Sequence, residues 1–157
     1  MGKLKVLFLC QRNTARSQMA EGLLRHFYSE KYESFSAGIE PTQINRFAIK
    51  AMAEIGIDIS NQFSKSIKEF QEEDLDLVAS VCRSSPKIVC SLCSSPMPSG
   101  RPEIVRSTLP KAKHYLENGF DDPSEVKGTE EEKMKAFRRT RDDIKKWILE
   151  TFARFKN

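Results

Sequence analysis

The chemistry of this chain is most legible in one segment, Cys10-Gln11-Arg12-Asn13-Thr14-Ala15-Arg16-Ser17. Arg16 offers a planar guanidinium that can grip two oxygens of a tetrahedral anion at once, which a lysine ammonium cannot do. A tight loop here can turn several backbone N–H groups inward, so Gln11, Arg12, Asn13, Thr14, Ala15, Arg16 and Ser17 are all oxyanion-binding candidates. A helix beginning after the loop adds the positive end of its dipole. The same field favours a thiolate. Cysteines at helix N-termini or beside cations ionise more readily than free ones, so Cys10 is a candidate nucleophile. Ser17 can donate to that thiolate, and Asn13 can tie down the loop from within. The plainer alternative is a buried cysteine at a strand end followed by an ordinary capped helix. The strand before, the helix after and the flanking Ser17 favour the anion site.

The elements that must hold this loop follow from the apolar pattern. Leu4 to Leu9 is a short continuous apolar run, as expected of a parallel strand covered on both faces. From Ser17 the period becomes helical, with Met19, Leu23 and Phe27 on one stripe. Glu33 to Ile39 reads as a second strand. Ala48, Ala51, Met52 and Ile55 mark a helix that Gly56 can stop. Leu75 to Val81 is a third strand, and it too ends at a cysteine, Cys82; His114 to Leu116 suggests a short fourth. A last long helix carries Met134, Phe137, Ile144, Ile148, Phe152 and Phe155, with Trp147 adjacent. Strands alternating with helices imply right-handed crossovers. The predicted fold is α/β, a three-layer sandwich around a central parallel four-stranded sheet. Residues 1–157 read as a single domain, with an enlarged Ser/Pro-rich loop at about 83–113 that lacks any period.

Composition narrows the function. The chain has 157 residues and a net charge of +4, from 26 basic and 22 acidic side chains. That balance suits a small anion and lacks the dense basic stripe of a nucleic-acid binder. Lys133, Lys135, Arg138, Arg139 and Arg141 alternate with apolar residues and read as a solvated helix face. The first apolar run is far shorter than the ~18 residues of a membrane span. With no targeting segment evident, the expected compartment is the reducing cytoplasm, where four cysteines point to catalysis, redox chemistry or metal binding. Cys82, Cys90 and Cys93, with His114, form a possible zinc set, but only one short cysteine pair is present where zinc knots use two. We expect no metal and no cofactor. His26 and His114 read as structural.

Residues 6 to 22, VLFLCQRNTARSQMAEG, resemble the low-molecular-weight tyrosine phosphatase superfamily, and within it the thioredoxin-coupled arsenate reductases. Ser17-Gln18 stands where the phosphatases typically read Ser-Pro. Ser36-Ala37-Gly38, the stretch from Ala48 to Ser60, Asp76-Leu77-Val78 ahead of Cys82, Phe120-Asp121-Asp122-Pro123, and Arg138 to Ile144 extend the likeness. It covers most of the chain except residues 91 to 113, with the motifs in order.

The resemblance implies a thiol relay. Cys10 would attack arsenate, with Asp122 as general acid for the departing hydroxide. Cys82 would then attack the Cys10 sulfur, releasing arsenite, and Cys90 would take over the disulfide for reduction by thioredoxin. Cys93 is an alternative resolving thiol, and a monomer is expected. The chain departs from the family in three places. Ala15 stands where many relatives carry an extra cysteine. Lys65 occupies the place of an Asp that, with Asn13, Glu21 and Ser36, completes a potassium site in part of the family, so its ammonium is expected to substitute for the ion. The loop beyond Cys90, with Cys93, Arg101 and Arg106, is longer than usual. Two other readings stand beside reduction: a phosphatase acting through a Cys10 phospho-enzyme, and a thiol-disulfide partner or sensor.

Overall fold

The computed structural model describes residues 2–82 and 110–155. The described strands and helices follow in the order β1 (Leu4–Cys10), α1 (Arg16–Tyr28), β2 (Tyr32–Gly38), α2 (Arg46–Ala53), β3 (Leu75–Cys82), β4 (Ala112–Phe120) and α3 (Glu130–Arg154). All strand pairs are parallel, in the order β2-β1-β3-β4. The sheet and its flanking helices form the α/β sandwich that the sequence predicts. The strand β4 is longer than the three residues read from the sequence. It is an edge strand of mixed exposure, AKHYLENGF, so it shows neither a continuous apolar run nor a clean alternation.

β1 is central, and Val6 to Cys10 are buried on both faces. Val6, Phe8 and Cys10 join the larger core with Leu77, Ala79 and Val81 and with the inner sides of all three helices. Leu7 and Leu9 face the other way, toward Val78 and a 3₁₀ turn at Ile67–Phe70. Ser66 caps that turn in a reciprocal box with Glu69, a feature the sequence reading did not identify.

Helix α3 begins at Thr129, whose hydroxyl accepts from the Glu132 N–H, and three glutamates in its first turn complement the dipole. Its buried stripe runs through Phe137, Thr140, Arg141, Ile144, Ile148 and Phe152. Arg141 therefore departs from the solvated face expected of it. Its guanidinium donates to the Ala51 carbonyl at 2.8 Å and to Glu54 at 3.1 Å, fastening α3 to the end of α2. At the other end, carbonyls of Leu149, Phe152 and Phe155 accept from Tyr28, Tyr32 and Lys31. Phe27, expected on the buried stripe of α1, is half-exposed instead, because burial along α1 ends at Leu24. Helix α2 stops at Ala53, and the chain turns at Gly56 with φ 79°, while Ile57 N–H donates to the Met52 carbonyl. Among the described residues, no helix is long and apolar enough to cross a membrane.

Phe152 links the sheet to α3, packing edge-on against Phe8 at 5.9 Å and Tyr32 at 5.2 Å while fully buried. Phe152→Ala should cost about 3–5 kcal/mol of stability in urea unfolding. A loss below about 1 kcal/mol would mean that this contact does not join sheet and helix.

Candidate active site

In an open parallel sheet, ligands bind outside the carboxyl ends of the strands where the strand order reverses. Here that point lies between β1 and β3. Cys10 closes β1 and Cys82 closes β3, with Leu9 opposite Ser80 in the ladder and Cys82 opposite Phe120 of β4. The two cysteines thus end adjacent parallel strands at the same edge of the sheet.

The loop from Gln11 to Ala15 turns its carbonyls away from Cys10 and satisfies each of them. Gln11 accepts from the Glu40 N–H, Arg12 from Thr42, Thr14 from Asn45 and Ala15 from Met19. The Asn13 carbonyl accepts from Ser64 and Gln18. Across a trans peptide, a carbonyl and the next N–H point in opposite directions. The N–H groups of residues 12 to 15 therefore face inward, and the Asn13 N–H meets Cys10 Sγ at 3.2 Å. Helix α1 begins at Ala15, which has no capping side chain, and no acidic residue lies in its first turn. Such an end suits an external anion. Gly38 is required beside it: a Cβ there would come within 2.8 Å of the Arg12 and Asn13 backbone.

Cys10 and Ser17 are buried, with Sγ and Oγ 2.9 Å apart. Asn13 adopts the left-handed region at φ 54°, a conformation asparagine tolerates better than most residues. Its amide donates to Ser17 Oγ at 2.7 Å and accepts from the Lys65 N–H at 2.9 Å. Arg16 is also buried. It donates to the Phe120 carbonyl at 3.0 Å and lies 3.3 Å from Asp122. Asp122 in turn accepts from the N–H and hydroxyl of Ser124 at the start of a 3₁₀ turn. Ser17 thus sits against Cys10, and Arg16 against Asp122, on the same loop and helix start, a set of groups that can hold a tetrahedral anion against a sulfur nucleophile.

Cys90 and Cys93, and most of the loop at 83–113, lie outside the described residues. The sequence reading missed Gln18, Gln62 and Ser64, which lock the loop from behind. Gln18 left no distinct signal, since it follows the polar Arg16 and Ser17 in the sequence.

Behind the loop, Glu21 is buried, accepts from the Ser36 hydroxyl at 3.3 Å and faces Lys65 at 3.9 Å. The Lys65 ammonium also donates to the Phe63 carbonyl at 2.9 Å. Burial raises the Glu21 carboxyl above its ordinary range, opposed by Lys65, Arg25 and Ser36. The folded state therefore takes up this proton at a higher pH than the unfolded chain does. The cost of the buried charge is fully present above the raised value and is relieved as pH falls through it. Glu21→Gln carries no such cost. Its stability relative to the natural chain should decline as pH is lowered from neutrality toward the ordinary glutamate value of 4.5. A constant difference across that range in urea titrations would exclude the coupling.

The low molecular weight phosphotyrosine protein phosphatase family model matches residues 5–157. An arsenate reductase of Halalkalibacterium halodurans is 40% identical, over 98% of this chain and 97% of its own length. One from Bacillus subtilis strain 168 is also 40% identical, over 88% of each chain. A solved arsenate reductase in the phosphate-binding state superposes with a TM-score of 0.71 at 31% identity, covering 98% of this chain and 99% of that one. The order of motifs, the parallel sheet and these likenesses agree, and the chain is an enzyme of the low molecular weight phosphotyrosine protein phosphatase family.

Proposed function

We propose that this enzyme is an arsenate reductase. The observation that carries the reading is the pair of cysteines ending adjacent strands β1 and β3, with Arg16 and Asp122 beside the first. Arsenate enters the Gln11–Ser17 loop, where the inward N–H groups and the Arg16 fork neutralise its charge. The Cys10 thiolate attacks arsenic, and a hydroxide leaves. Asp122, as general acid, passes a proton to the leaving oxygen so that water departs. The Cys82 thiolate then attacks the Cys10 sulfur. The electron pair of the S–As bond goes to arsenic, releasing arsenite and leaving a Cys10–Cys82 disulfide. Cys90, with Cys93 as the alternative, attacks Cys82 and carries the disulfide to thioredoxin. Residues 1–157 act as one monomeric domain with 83–113 as its redox loop, in the cytoplasm, where thiols stay reduced.

The rival reading is a phosphatase. Cys10, Arg16 and Asp122 suffice for hydrolysis through a phospho-enzyme, because that reaction moves no electrons. Cys82→Ser separates the two. Arsenate turnover with thioredoxin should fall to background while aryl-phosphate hydrolysis is retained. Survival of arsenate turnover would defeat the relay. A thiol-disulfide partner or sensor, the remaining possibility, would show neither activity in the natural chain.

Lys65 supports one further part of the proposal, since its ammonium lies between Glu21 and the Phe63 carbonyl, where a monovalent cation would find the same oxygens. Arsenate turnover should be unchanged when potassium replaces sodium at fixed ionic strength. A strong potassium stimulation would refute the substitution.

A further inference from the structure

Behind the loop runs a line of side-chain hydrogen bonds that the proposed reaction does not itself employ. Arg25 donates to Gln62 Oε1. Gln62 Nε2 donates to Gln18 Oε1 at 2.7 Å, and Gln18 Nε2 donates to Asn13 Oδ1 at 2.9 Å. Asn13 Nδ2 donates to Ser17 Oγ at 2.7 Å, and Ser17 Oγ lies 2.9 Å from Cys10 Sγ. The line therefore joins an exposed cation to the buried sulfur.

Its direction is fixed by its partners. Arginine only donates, so the oxygen of the Gln62 amide must face Arg25. The nitrogen of that amide also serves the Gln18 main-chain carbonyl at 3.0 Å. The Gln18 nitrogen is held by three oxygens, the Asn13 carbonyl at 3.1 Å, Asn13 Oδ1 and the Phe63 carbonyl at 3.0 Å. Asn13 Oδ1 then has two donors, Gln18 and the Lys65 N–H, which leaves the Asn13 NH₂ toward Ser17. Reversing either amide of Gln18 or Asn13 would set donor against donor. With Ser17 Oγ already accepting from Asn13, and a thiolate unable to donate, the Ser17 proton lies on the line to Cys10.

We propose that Gln18, held by Gln62 and Arg25, is a positioning residue that fixes this direction and so makes Ser17 a donor to the Cys10 thiolate. The inference rests on reading Cys10 as a thiolate nucleophile. Gln18, Asn13 and Ser17 are fully buried, so each bond acts in a medium of low dielectric and polarises the next. Other charged groups stand near this line: Arg16 at the start of α1, Asp122 from the segment after β4, and the Glu21–Lys65 pair behind Asn13. All of these stay in place when Gln18 or Gln62 is changed.

The test follows alkylation of Cys10 by iodoacetamide against pH, quantified by mass spectrometry of the peptide that carries it. Gln18→Met keeps the length of the side chain and removes its amide. Its reactivity midpoint should move to alkaline pH, by less than loss of the Ser17 donor itself would bring, because the Lys65 N–H still holds Asn13 Oδ1. Gln62→Met should move the midpoint the same way by less. Midpoints equal to that of the natural chain, in variants whose circular dichroism is native, would overturn the proposal. Should Gln18→Met fail to fold, an unshifted Gln62→Met would overturn it alone. Alkylation requires no arsenate, so the result stands apart from whether the enzyme reduces that anion. A natural chain as sluggish as free cysteine would instead defeat the nucleophile itself, and the positioning role with it.

Discussion

A loop that binds an anion through its amides must find acceptable partners for its carbonyls, because the two groups of each peptide point opposite ways. In this protein that constraint reaches well beyond the loop. The segment after β2 supplies N–H groups from Glu40, Thr42 and Asn45. Asn45 also caps α2, so the carbonyl of Thr14 is tied to a helix start. Ser64 and Gln18 take the carbonyl of Asn13, and Gly38 leaves the space that the loop backbone fills. The cradle is built as much from residues 38–45 and 62–65 as from residues 10–17.

The electrostatics follow from the same arrangement. Arg16 is buried, and a lone buried cation would be costly. Phe120 and Asp122, both at or beyond the end of β4, provide the compensating oxygens. The sheet thereby brings groups from β1, β4 and the start of α1 to one edge. An arriving oxyanion meets a guanidinium already in place, so little reorganisation accompanies binding.

The sequence was most informative where the structure is local. The run from Leu4 to Cys10, the loop and the start of α1 declare themselves within a few residues, since strand, turn and helix period follow one another there. Asp122 entered only through the family likeness, as a general acid, and its pairing with Arg16 across the length of the chain is seen only in the structure. Gln18 and Gln62 were opaque because a buried glutamine has the same letter as a solvated one, and only tertiary packing separates them. Arg141 was misread for a related reason. It sits in a basic stretch of α3, yet the turn of the helix brings it to the buried stripe between Phe137 and Ile144. The strand β4 was read too short because an edge strand need not be apolar.

The end of α3 has a different kind of importance. Its last carbonyls are held by Tyr28, Lys31 and Tyr32, residues that straddle the turn from α1 into β2. A C-terminal helix ordinarily frays independently of the rest of a domain. Here fraying must also break the side-chain bonds from Tyr28, Lys31 and Tyr32, so the helix end and the start of β2 form one hydrogen-bonded unit. That unit lies at the end of the sheet opposite Cys10, because β2 begins at Tyr32 and reaches Gly38, beside the loop, only at its far end. Local breathing at the helix terminus is thus separated from Cys10 by the length of a strand.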